Sequence, residues 1–277
     1  MSDVEKSTQR HYSQPRLTES ILAALNRMGK TPETLRPEDL APVDAFHIRG
    51  HAATLELGRL VRVGPEHRVL DVGCGLGGSA RYLARQFGCR VTGLDLTPEY
   101  LRTAADITGW LKMDGLVDFR EGNALEMPFE DGAFDLVWSE HAQMNIPDKP
   151  GFYGEIHRVL KPGGRFAFHD ILQGPGGEPH FPTPWARDDS HSGLIGSVDL
   201  RKLLQSLRFD VLYWEDKTAE GRDWFRERVT ALKEKGPPPL GFHLLLGSVA
   251  MPSQENNLRN LEENRISLVQ GMVQKVR

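Results

Sequence analysis

The sequence predicts an α/β fold: a doubly wound, seven-stranded, mostly parallel sheet with a helical N-terminal cap and an active-site lid insert. Three observations point there. Short apolar runs alternate with helix-length amphipathic segments through the middle of the chain, the rhythm of strands laid side by side with helices on both faces. The first apolar run leads directly into a cluster of glycines. The chain has 277 residues, 26% charged and 39% hydrophobic, enough for one well-buried domain with elaborations.

In chain order, residues up to about 14 are polar and are expected to be loose. Ile21, Leu22, Leu25 and Met28 then recur at helical spacing, with Thr18 as cap and Gly29 as stop. A second helix is expected over 51–61, ahead of Gly64-Pro65. Strands are predicted at 68–72, 90–96, 117–124, 133–139, 165–172, 209–216 and 266–276. Helices are predicted at 79–87, from Pro98 with Thr97 as cap, at 149–160 and at 198–207. A Gly- and Pro-rich loop spans 173–193, too long to be a mere connection. The expected division is a cap at 1–62, a ligand-binding core at 63–216, a mostly helical lid at 217–265 interrupted by GPPPLG, and a final core strand at 266–277.

Composition narrows the function classes. The formal net charge is -4, so no nucleic-acid footprint is expected. No apolar run approaches the ~20 residues of a membrane helix, and the first residues lack the apolar stretch of a secretory signal. Cys74 and Cys89 show neither metal-ligand nor disulfide spacing, so a reducing cytoplasm is the expected setting.

The strongest local signal is VLDVGCGLGGSA at 69–80. Gly73, Gly75 and Gly78 satisfy G-x-G-x-x-G between a strand and a helix, the Rossmann-like arrangement in which the backbone closely approaches a ligand. Asp95 ends the next strand, where a carboxylate can accept from ribose hydroxyls. That much suits NAD or S-adenosyl-L-methionine. Asp71 separates them: it stands two residues before the first glycine, where a pyrophosphate would meet like charge and an ammonium or sulfonium would meet opposite charge. Ordering the loop through backbone N–H groups is the other role open to Asp71.

VLDVGCGLGG, GLDLT, GNALEMPFEDGAFDLVWS and RVLKPGGRFAFHD, in this order and spacing, resemble the class I S-adenosylmethionine-dependent methyltransferases of small molecules over roughly residues 40–216. The resemblance implies that Asp71, Gly73 and Gly75 line the methionine portion of S-adenosyl-L-methionine. It further implies that Asp95 binds the ribose, Leu96 lies along the adenine, and Asn123 and Ala124 hold the adenine edge, with Ser139 facing the cofactor. The ends, DAFHIRGHAATLEL at 44–57 and NNLRNLEENRISLVQGMVQKV at 256–276, are similar to sarcosine/dimethylglycine N-methyltransferases and tocopherol-type methyltransferases. Those groups act on small acceptors.

The acceptor candidates cluster at strand ends, where open α/β sheets bind ligands. Glu140 and His141 are the catalytic candidates, His141 as base or orienting group, or else a partly buried histidine bonded to a carbonyl. The sarcosine group often reads Gln-Asp-Ala where this chain has Glu140-His141-Ala142, so the family's acceptor contacts do not carry over. Tyr12, Arg49, Asn145, His169 and Trp185 are the substrate candidates; the alternatives are a core aromatic for Tyr12, a surface charge for Arg49, closure of the sheet edge for His169 and loop packing for Trp185, and Asp170 is expected to cap the turn after its strand. No metal is expected; a site of Glu140, His141 and Asp170 is the alternative. The expected activity is methylation of a small metabolite, with an amine or amino acid nitrogen as first choice. Carbon or oxygen methylation of an aromatic, quinol or isoprenoid product is the alternative, and a cofactor-binding scaffold without turnover is another. The expected partners are the acceptor and a second copy of the chain, with no nucleic acid or membrane.

Overall fold

The computed structural model describes residues 8–9 and 11–276, apart from the side chain of His191. Most of the polar opening stretch therefore lies outside the described residues. Residues 8–9 and 11–12 are helical and pack over the ligand cavity, contrary to the expected loose start.

Seven strands form one sheet: β1 (Arg68–Val72), β2 (Arg90–Asp95), β3 (Val117–Glu121), β4 (Phe134–Glu140), β5 (Leu160–Gln173), β6 (Phe209–Asp216) and β7 (Ile266–Lys275). Their spatial order is β3-β2-β1-β4-β5-β7-β6. β1 to β5 run parallel, and β7 inserts antiparallel between β5 and β6. The last strand thus carries the longest pairing with β5, from Arg165↔Gln274 to Gln173↔Ile266. Strand order reverses between β1 and β4, where Asp71 pairs with Trp138. At such a switch point the loops leaving the strands diverge and open a crevice.

Ten helices are used below or frame the sheet: α1 (Leu17–Arg27), α2 (Pro37–Asp44), α3 (His51–Gly58), α4 (Gly78–Phe87), α5 (Pro98–Trp110), α6 (Lys149–Val159), α7 (Ser197–Ser206), α8 (Thr218–Lys235), α9 (His243–Leu246) and α10 (Ala250–Glu262). Leu70, Val72, Val137, Phe166 and Phe168 pack with α6 and α7 residues on one face of the sheet. Val69, Val91, Leu136 and Ala167 pack with α3 and α4 on the other. Both faces of the central strands are covered, as their continuous apolar runs require.

Local differences from the sequence expectation have identifiable causes. Thr18 does not cap α1; its hydroxyl lies 2.9 Å from that of Thr103, tying α1 to α5. Met28 sits past the helix end and is exposed, while Leu17 and Ala24 complete the buried face. Thr97 makes no side-chain cap either; its backbone N–H donates to Asp95 Oδ1 at 2.9 Å. The unforeseen α2 starts at Pro37, with Asp39 returning to the Arg36 N–H at 2.9 Å. β5 begins at Leu160, before the KPGG turn rather than after it. Asp170 does not cap a turn; it is mid-strand, opposite Val269, and fully buried.

Candidate functional site

A cavity of about 370 Å³ opens at the switch point. One end is built by the loop after β1, the end of β2 and the loop after β3. Gly73, Gly75 and Gly77 there have φ of 73°, 52° and 81°, backbone that L side chains rarely adopt. A Cβ on Gly73 would meet Ala142 Cβ at 2.5 Å, and one on Gly78 would meet the Asp44 carbonyl at 2.5 Å. The loop is thus wedged between the turn after β4 and the end of α2. Asp95 Oδ2 accepts Gly75 N–H at 2.9 Å, fixing the loop to β2. Arg81, in α4, closes the other side: its guanidinium donates to Leu76 O at 2.7 Å and to Asp44 Oδ1 at 2.5 Å.

Asp71, Asp95 and Glu140 face this end together with Asp44. Burial pushes the Asp71 carboxyl well up, and the nearby charges of Glu140 and Asp95 add to it. Its Oδ2 makes no hydrogen bond. Among the described residues, no Lys or Arg lines the cavity. Such a wall attracts a cation and repels a phosphate. Leu94, Leu96, Asn123, Ala124 and Leu125 continue it. The Asn123 side-chain oxygen accepts Leu125 N–H at 2.9 Å, a turn closed on itself, so an adenine amino group would use that oxygen's second lone pair.

Glu140 ends β4 and is 8% exposed. Its Oε2 accepts from Ser79 Oγ at 2.5 Å and Trp138 Nε1 at 3.0 Å, and the Thr54 hydroxyl donates to the same carboxylate. His47 stands behind Thr54 at 3.2 Å and lies 3.6 Å from Glu140 Oε1. The carboxylate is a hub joining α3, α4 and β4, not a group waiting for a proton.

His141 follows with φ 54°, a strained left-handed conformation for a non-glycine residue. Ile48 bridges two histidines: its N–H donates to His141 Nδ1 at 3.3 Å, and its carbonyl accepts from His169 Nε2 at 3.0 Å. The two rings stack at 5.1 Å. Burial lowers both, His141 well below its ordinary value and His169 to about 4, with neighbouring histidines as the next cause.

Met144, Asn145, Ile146 and Pro147 form the next wall. Lys149 Nζ, almost fully buried, donates to the carbonyls of Gln143 and Ile146 and so holds this turn from beneath. Burial lowers that amine to about 7. Asn145 accepts from Tyr12 OH at 3.0 Å and donates to Trp185 O at 2.7 Å. Gln9 reaches Leu96 O at 3.2 Å and His11 reaches Pro184 O at 3.0 Å, so the first described residues lie across three walls. Phe46, Ile48, Ile171, Trp185, Phe225, Phe242 and Leu245 make this end apolar.

The cavity therefore gathers Asp71, Gly73, Gly75, Asp95, Leu96, Asn123, Ala124, Glu140, His141, Tyr12, Asn145 and Trp185. Three sequence candidates stand outside it. Ser139 is fully buried and donates to Val72 O at 3.0 Å, because alternation along β4 turns it away from the site. His169 sits behind His141. Arg49 is paired with Glu56 at 2.6 Å, a carboxylate that also takes Lys217 at 2.7 Å. Among the described residues no three His, Cys, Asp or Glu side chains converge as a metal-binding group, Glu140, His141 and Asp170 included. Sequence reasoning did not place Asp44, Phe225, Phe242, Leu245 or Asn257 in the site, yet all five line the cavity. Residues from separate segments carry no shared motif, so nothing in the sequence marked them.

Residues 70–168 match the family model described as Methyltransferase domain. The chain is 34% identical over 158 residues to the sarcosine/dimethylglycine N-methyltransferase of Halorhodospira halochloris, covering 57% of this chain and 56% of that one. It is 42% identical over 121 residues to the 2-methyl-6-phytyl-1,4-hydroquinone methyltransferase of Synechocystis, covering 44% and 37%. The chain thus spans about half or less of these curated relatives. In fold it is similar to geranyl diphosphate C-methyltransferase from Streptomyces coelicolor A3(2), with TM-score 0.74, 20% identity and 99% of each chain covered. Among the described residues no helix is long and apolar enough to cross a membrane.

Proposed function

We propose that this chain, whose residues 70–168 form a methyltransferase domain, transfers the methyl group of S-adenosyl-L-methionine to a small, largely apolar acceptor. The observation that carries the cofactor reading is the acidic end of the cavity: Asp71, Asp95 and Glu140 with no lining Lys or Arg. The unpartnered Asp71 Oδ2 suits a cationic guest, and the same wall repels the diphosphate of NAD. When bound, the cofactor supplies a methyl group already activated by a positively charged sulfur.

The protein's part is positional. Asp71 and the Gly73–Gly75 backbone hold the methionine portion, Asp95 the ribose, and Leu96, Asn123 and Ala124 the adenine. The turn at 141–147, the 184–185 loop and the α8–α9 aromatics hold the acceptor and exclude water, and alignment of this kind lowers a displacement barrier by roughly 7–11 kcal/mol in favourable cases. His141 keeps its proton on Nε2 as long as Nδ1 accepts from Ile48, and Glu140 is saturated with donors. Neither serves as a base in this arrangement. An electron-rich carbon of an aromatic or isoprenoid acceptor needs none in the transfer step. The absence of a lining cation among the described residues tells against an amino acid carboxylate. A neutral apolar amine is the second reading, since it too attacks without a base.

The test has two stages. Calorimetry compares S-adenosyl-L-methionine, S-adenosylhomocysteine and NAD; tight binding of NAD alone would sink the proposal. Labelled cofactor is then offered with quinols, phenols, isoprenoids, apolar amines and amino acids. Label only in amino acids would reverse the acceptor class, and label in none would leave a cofactor-binding scaffold.

A further inference from the structure

Helix α10 carries three asparagines that face two tasks. Asn256 Nδ2 donates to Pro182 O at 3.0 Å. Asn260 donates to His180 O at 3.0 Å and accepts His180 N–H at 2.7 Å. These two, four residues apart on one helical face, pin the 180–182 segment. Asn257 stands next to Asn256 and differs. It lines the cavity, is only 1% exposed, and its Oδ1 makes no hydrogen bond. The same cavity is lined by Trp185 and Phe225, which belong to one apolar cluster with Leu258 and Leu261 of the Asn257 helix. A buried amide oxygen without a donor is destabilising, so its presence in an apolar wall calls for an explanation outside folding.

We propose that Asn257 is a specificity-determining residue, whose Oδ1 receives a hydrogen bond from a hydroxyl or N–H group of the acceptor. The inference rests on the methyltransferase reading for the acceptor's existence, but the recognition itself needs no turnover. The other side-chain amide lining the cavity near Tyr12 already has partners at both ends: Asn145 accepts from Tyr12 OH and donates to the Trp185 carbonyl. The acceptor class is thereby narrowed to a largely apolar molecule bearing a hydrogen-bond donor. An ether or hydrocarbon of the same shape would leave the buried oxygen unpaired, which is how polar sites reject analogues lacking one group.

The test uses a matched pair of probes, 4-propylphenol and 4-propylanisole, titrated calorimetrically with and without S-adenosylhomocysteine. The full chain is expected to bind the phenol about tenfold more tightly than the ether, the worth of one buried hydrogen bond. Asn257→Leu is expected to bring the two within twofold while leaving S-adenosylhomocysteine affinity and melting temperature at or above those of the parent. Asn257→Ala, a second variant, should also erase the preference. A phenol preference that survives both substitutions, no preference in the parent, or a melting temperature lowered by Asn257→Leu would each overturn the assignment. Failure of S-adenosylhomocysteine to bind the parent would instead strike the methyltransferase reading, since the probe pair reads Asn257 without it.

Discussion

The backbone N–H of Ile48 donates to Nδ1 of His141 at 3.3 Å, and this one bond decides what the histidine can do. With Nδ1 accepting, the neutral ring must carry its proton on Nε2. Burial holds the ring neutral well below the ordinary histidine range. Methyl transfer is therefore expected to show no histidine limb in kcat/KM between pH 6 and 8. A limb near 6.5 that disappears in His141→Asn would make His141 a base after all. Asparagine is the chosen replacement because it tolerates the positive φ of this position.

His169 gives a stability signature. Its folded value, about 4, lies below the ordinary 6.5, so between those values the unfolded chain binds the extra proton. Stability from this group is present above pH 6.5 and is lost as the pH falls toward 4, by up to about 1.4 kcal/mol per pH unit. Asp71 and Asp170, whose carboxyls burial pushes up, act with the opposite sign in acid. The measurement is therefore a difference: the stability gap between the parent and His169→Gln, by urea unfolding, should shift in favour of the variant from pH 6.5 to 4.5. A pH-independent gap would show that His169 does not titrate on unfolding.

Glu140→Gln tests the hub. Trp138 Nε1 can only donate, so the amide oxygen must turn toward it and the amide NH2 toward Thr54 and His47. A loss of about 1–3 kcal/mol in unfolding free energy is expected. S-adenosyl-L-methionine affinity should fall as well, because one carboxylate is removed from the acidic wall. A variant as stable and as tight-binding as the parent would show that Glu140 is replaceable in both roles.

Gly73→Ala tests the wedge between the glycine loop and the turn after β4. The added Cβ meets Ala142 Cβ at 2.5 Å on a backbone with φ 73°. Strain of that kind costs roughly 1–2 kcal/mol before the contact itself is counted. Cofactor affinity should drop by about tenfold or more, the equivalent of 1.4 kcal/mol. Gly115→Ala is the control, since nothing lies within 4 Å of its added Cβ. Equal behaviour of the two variants would remove the wedge from the account.

How far the site was legible follows from how local each signal is. The glycine loop, Asp71, Asp95 and Leu96 lie within one strand–turn–helix unit and the strand beside it, so spacing along the chain is also spacing in the fold. Ser139, Arg49 and His169 look like site residues by the same logic but stand outside the cavity lining, because each depends on which way a side chain points. Ser139 differs from Glu140 by one position on β4, and that single step turns it from the cavity to Val72 O.

By itself the sequence determined the sheet and its helices, the glycine crevice at the switch point, and the chemistry of the cofactor end, because hydrophobic periodicity and turn chemistry act over a few residues at a time. Only the tertiary structure decided the tautomer of His141, the saturation of Glu140 and the place of Asn257 in the cavity wall. Those depend on partners far away in sequence: Ile48 lies 93 residues from His141, and Ser79 lies 61 from Glu140. Hydrogen bonds at such separations form only when packing brings whole elements together, and no pattern along the chain records them.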